Sequence, residues 1–74
     1  MKTHNELINT PDDEEYLAQF QNGNKFILSN FEPFQDDGSL IADIVKVISL
    51  TSGTFNNGDK INFCIENLKS VNKG

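Results

Sequence analysis

Two side chains in this chain could in principle work as a nucleophile and a base, Cys64 and His4, and there is one of each. Thiol attack needs a base within hydrogen-bond reach and a pocket for the developing oxyanion. Cys64 lies inside an alternating run, Ile61-Asn62-Phe63-Cys64-Ile65, where a thiol serves as a small buried or interfacial side chain. One Cys and one His cannot complete a zinc site, and a single Cys excludes an internal disulfide. The carboxylates fall into two groups. Asp36-Asp37-Gly38-Ser39 lacks the further oxygen ligands and the terminal Glu that a calcium loop requires, so it reads as a turn. Asp12-Asp13-Glu14-Glu15 has two readings: an acidic face for a basic partner, or solvated charge at the positive end of a helical turn. No glycine-rich phosphate loop occurs. The expectation is a non-enzymatic chain with no catalytic, cofactor or metal residues.

Charge narrows the partners. Residues 1–38 hold eight acids against two lysines, a net of −6, and residues 39–74 hold three acids against four lysines, a net of +1. There is no arginine. A nucleic-acid surface needs clustered Lys and Arg to displace phosphate counterions, so direct nucleic-acid binding is not expected. A negative field favours a partner with a basic surface and speeds encounter with it. No apolar run approaches the ~20 residues that span a bilayer, and no signal-type apolar region follows Met1, so the expectation is a cytoplasmic protein without a membrane segment.

Seventy-four residues make one small domain, which buries only roughly 60% of its unfolded surface. Small scaffolds usually draw on disulfides, metals or partners, and the first two are missing here, so a protein partner or a homo-oligomer is expected.

The elements read as follows. Residues 1–9 carry a capping-box pattern, Thr3 to Glu6, in a segment too short to be a stable helix alone. It is either a frayed arm or one docked turn. Thr10 is a plausible N-cap, with Pro11 at the first helical position. Residues 15–21 are preferred as a strand joined by a type I′ turn at Asn22-Gly23 to a strand starting near Phe26, with Leu17 opposite Leu28 and Ala18 opposite Ile27. The alternative is a short helix with Tyr16, Leu17 and Phe20 on one face. Phe31-Glu32-Pro33-Phe34 continues irregularly onto a loop, since Pro33 cannot donate to a central ladder. Residues 39–50 form a β-branched strand, overlong and so bent, bulged or begun by a helical turn near Leu40-Ile41-Ala42, apolar on both faces and therefore central and doubly covered. Asn56-Asn57-Gly58-Asp59 is a turn, Phe55 plugs the core, residues 59–68 are a long strand, 67–71 make a short turn and a final edge pairing, and 72–74 fray.

This order of parts resembles the small SH3-like barrels, Sm-like proteins included. The matching pieces are Asn22-Gly23, Phe31-Glu32, the apolar run Ile44 to Leu50, and Ile65-Glu66-Asn67-Leu68-Lys69-Ser70-Val71. The second glycine of the bent strand is absent, and Glu66-Asn67 stands where those families carry Arg-Gly, so no RNA-contacting residues are matched. The expected fold is all-β with a short N-terminal helix, as a five-stranded SH3-like barrel. The alternative is an α+β fold with a helix on a three- or four-stranded antiparallel sheet.

The expected function is an acidic protein-binding module: an adaptor, an inhibitor or an immunity-type factor. The candidate contact residues are Asp12, Asp13, Glu14, Glu15, Phe31, Glu32, Phe34, Asp36 and Asp37. Both phenylalanines could instead close the core. The alternative function is a self-assembling Sm-like structural ring linked to RNA.

Overall fold

In the computed structural model, residues 4–11, 13–34 and 38–73 are described, with side chains from residue 6 onward. Asp12, Asp36 and Asp37 lie outside the described residues. The chain is mainly β. A short helix, α1 (His4–Ile8), precedes β1 (Tyr16–Phe20), β2 (Lys25–Pro33), β3 (Ser39–Ser49) and β4 (Lys60–Cys64). One 3-10 turn (Ile65–Asn67) then leads into β5 (Leu68–Lys73). All pairings are antiparallel, and the hydrogen-bonded order is β4-β3-β2-β1-β5. Five strands and a five-residue helix leave no place for the α+β alternative. The sheet is open: β4 and β5 end the order, and no ladder joins them among the described residues.

The first hairpin departs from expectation by one residue. Tyr16 faces Leu28, Leu17 faces Ile27 and Ala18 faces Phe26. The cause lies in the turn. Phe20 N donates to Asn24 O at 2.8 Å and Gly23 N donates to Phe20 O at 3.0 Å, so three residues connect the strands instead of two. Gly23 takes φ +96°, the left-handed position of such a three-residue loop. The shift sends Tyr16, Ala18 and Phe20 inward.

Strand β3 is buried on one face, not two. Leu40, Ala42 and Ile44 point into the core. Beyond them the register with β2 slips twice. Phe26 pairs with Val47 while Lys25 pairs with Ser49, and Leu28 pairs with Ile44 while Ile27 pairs with Lys46. Ile48 and Val45 are the residues left over, and both are exposed. Bulges of this kind bend a strand and increase its twist. A third irregularity sets Asn30 and Phe31 against Ala42, with Asn30 at φ +56°. The apolar look of both faces thus came from extruded residues. The turn at 56–59 braces the bend: Ile44 N donates to Asp59 O, Gly58 N to Ile44 O, and Val47 N to the Asn57 side chain.

The ends also differ from expectation. Leu7 is 0% exposed, so α1 is the docked turn of the two readings for the start of the chain, and it packs on β2. Thr10 opens no helix. Its hydroxyl and its N–H both donate to Leu7 O, closing α1, and Pro11 to Glu14 make a single turn. The expected long strand 59–68 stops at Cys64, where the 3-10 turn redirects the chain. β5 then pairs with β1 as far as Lys73, so residues 72 and 73 belong to a ladder instead of fraying. Phe55 is half-buried and packs edge-to-face on Phe26, as a plug would.

Candidate functional site

The expected contact residues divide on folding. Phe31 lies in β2, not on a loop, and is buried at 3% exposure, with its ring edge-on to Tyr16 at 6.0 Å and to Phe63 at 6.4 Å. Phe34 follows the end of β2 and is 44% exposed, and Glu32 is exposed beside it. Within the acidic run, Asp13 and Glu15 are exposed. Glu14 is half-buried, accepts the Tyr16 hydroxyl at 2.7 Å and meets Lys73 Nζ at 3.4 Å. The Glu14 carboxylate holds the Tyr16 phenol above its ordinary pKa, chiefly by accepting its proton in a hydrogen bond. Burial and the negative charge act in the same direction.

Tyr16 therefore ties together two segments far apart in sequence. Its hydroxyl contacts the acidic run and its ring contacts Phe31, just before Glu32 and Phe34. The acidic run and the start of the Phe31 segment are thus joined through one buried ring, while Glu32 borders the group formed by Asn30, Asp43 and Lys60.

A second feature was not foreseen. Where the sheet fails to close, a cleft of about 430 Å³ runs between β4, the first hairpin loop and the loop after β3. Its floor is a chain of phenyl rings packed edge-to-face. Phe20 meets Phe63 at 5.3 Å and Phe26 at 5.6 Å, and Phe26 meets Phe55 at 5.4 Å. Its polar lining consists of amide and hydroxyl side chains, and among the described residues no Asp, Glu or Lys lines it.

The cleft is held open by its own hydrogen bonds. Asn24 is 3% exposed. Its Oδ1 accepts from Thr51 N at 2.7 Å and Ser52 N at 3.0 Å, and its Nδ2 donates to Ser52 O at 2.9 Å. This lashes the loop after β3 to the first hairpin. Gly53 has φ +79°, and a Cβ there would stand 3.0 Å from the Phe55 ring, so only glycine lets Phe55 take its seat. Across the cleft, Gln21 N donates to Asn67 O and Gln21 Nε2 to Leu68 O.

A third group sits on the outer face of β3. Asn30 Nδ2 and Lys60 Nζ donate to the two oxygens of Asp43, at 2.7 and 2.6 Å. The Asn30 hydrogen bond, then Lys60, holds the Asp43 carboxyl below its usual pKa, with burial opposing. Asp43 in turn raises Lys60. A carboxylate interrupting an apolar strand was the available signal for this group. For the cleft the signal was faint: an amide-rich composition around the first Asn-Gly turn.

Cys64 ends β4, half-buried and outside any disulfide. Among the described residues, no group of three or more His, Cys, Asp or Glu could hold a metal ion, and no helix is long and apolar enough to cross a membrane. Comparison with protein families, curated proteins and solved structures gave no match.

Proposed function

We propose that this chain is a non-enzymatic protein-binding module that docks through its acidic, aromatic end. The observation that supports the reading is the Tyr16 bridge, which joins the acidic run, where Asp13 and Glu15 are exposed, to Phe31, three residues before the exposed Phe34 ring. An exposed aromatic beside carboxylates offers an anchor that buries area and a field that draws a basic partner. The role is that of an adaptor, an inhibitor or an immunity-type factor, acting in the cytoplasm. Affinity purification of the full chain from its native cell should recover a stoichiometric protein with a basic surface. Phe34→Ala should weaken that complex, and charge reversal of Asp13 and Glu15 should slow its formation, the more so at low salt. Capture that is indifferent to all three changes refutes the reading.

A second reading is a self-assembling ring of the Sm-like kind. It is favoured by the open order of the sheet, in which, among the described residues, β4 and β5 each have a strand partner on one side alone. A strict monomer at tens of micromolar in sedimentation removes it.

A further inference from the structure

We infer that the open seam of the sheet is a second binding site, which takes an extended, uncharged peptide segment as an added strand on β4. The acidic end plays no part in this site.

The backbone supplies the first reason. β4 ends the hydrogen-bonded order and, among the described residues, pairs with β3 alone. An edge strand presents its outward N–H and C=O groups to whatever backbone can match them. Strand addition on such an edge draws affinity from main-chain hydrogen bonds and specificity from pockets for alternate side chains. The cleft supplies the pocket in the required place. Ile61, Asn62 and Phe63 all border it, although Ile61 and Phe63 are buried on one face and Asn62 is exposed on the other. A cleft that touches both faces of a strand runs along its edge. Five residues at about 3.3 Å each give an edge of roughly 16 Å, room for a segment of similar length.

The lining selects the chemistry of the occupant. Its apolar part is the edge of the phenyl floor, where Phe55 is half-buried and Phe20 and Phe63 show 6% and 5% of their surface, a shallow seat for one aliphatic or aromatic side chain. Its polar part is uncharged in a chain of net charge −5. An ionised side chain entering the cleft would lose hydration and meet no counter-charge, whereas a neutral one loses little. The side-chain amides of Asn62 and Asn67 make no hydrogen bond among the described residues. Each offers one acceptor and two donors, the complement of a peptide group. A nucleic acid would bring phosphates to a rim without a cation.

The site is also pre-built. The Asn24 bonds and the Gly53 conformation fix the far wall before any ligand arrives, which lowers the ordering cost of binding. Together with the acidic end, the seam gives the module two separate contact surfaces, the arrangement of an adaptor.

The test is selection of a phage-displayed library of random peptides, about twelve residues long, on the full chain, followed by titration of the synthesised winners into isotope-labelled protein. The expected winners carry a central stretch of about five residues free of Asp, Glu, Lys and Arg, with apolar residues at alternate positions. They should shift the amide resonances of residues 61–64 and 67. The double variant Asn62→Ala, Asn67→Ala changes exposed side chains alone and should weaken binding about tenfold or more. Asn62→Lys, which puts a charge on the rim, should weaken it for neutral peptides as well. Phe34→Ala should leave it unchanged, which separates this site from the acidic end. The inference is overturned by any of four results: no enrichment, winners with charged centres, shifts on another face, or sedimentation showing the seam occupied by a second copy.

Discussion

Replacing Leu7 with alanine tests the least expected contact in the core. A five-residue helix has no stability of its own, so α1 exists because tertiary packing holds it. Leu7 is 0% exposed, and Ile8 packs beside it against the same cluster. Leu7→Ala removes three buried carbons at about 0.8 kcal/mol each, or about 2.4 kcal/mol. The cavity left behind brings the expected loss to about 2–5 kcal/mol. A chain of this length has a total stability of about 4–11 kcal/mol, so the change is a large fraction of the whole. With a urea dependence of about 1 kcal/mol per molar for a small domain, the unfolding midpoint should fall by about 2 M or more. Val45→Ala is the control. Val45 is 39% exposed on a bulge and should cost about 0.5 kcal/mol or less. If Leu7→Ala unfolds within about 0.3 M of the parent, with m near 1 kcal/mol per molar, α1 does not belong to the cooperative core and the reasoning is wrong.

Three further outcomes are expected. Because its partners depress the Asp43 carboxyl, this group stabilises the fold above its unfolded pKa of about 3.9, and that stability is lost as pH falls from there through the folded value. Asp43→Asn should flatten the acid limb of a stability–pH curve measured by urea unfolding, and an unchanged limb counts against the pairing. Lys60 is raised, so its contribution is full below about pH 10.4 and fades as pH rises through its folded value. Asn24→Ala strips the Thr51 and Ser52 amides of their acceptor. It should cost about 1–3 kcal/mol and speed hydrogen exchange at both amides. Gly53→Ala should cost about 1–3 kcal/mol from the left-handed backbone and the clash with Phe55, and it should move the Phe55 ring resonances.

Much of the fold was legible because it is local. The alternation of Ile61 and Phe63, the β-branched density of residues 39–49, and the two Asn-Gly turns each state a backbone preference within a few residues, and each became a strand or a turn. Local signals stop short of anything that depends on counting across two strands. The hairpin register turned on whether two or three residues bridge Phe20 and Asn24, and the extrusion of Val45 and Ile48 exists only relative to β2. The candidate contact residues show the same boundary. Their types were readable as acidic and aromatic. That Phe31 turns inward while Phe34 stays in water, and that Tyr16 joins Glu14 to Phe31, was decided by burial and packing.

What the sequence determined by itself is therefore a β-rich body with an acidic first half, since strand periodicity and charge are properties of neighbouring residues. Tertiary structure alone decided that the sheet stays open, that Leu7 seals its core, and that an uncharged cleft follows the free edge of β4. The cleft is built from Phe20, Asn24, Phe55, Asn62 and Asn67, which come together only when strands distant in sequence pack against one another.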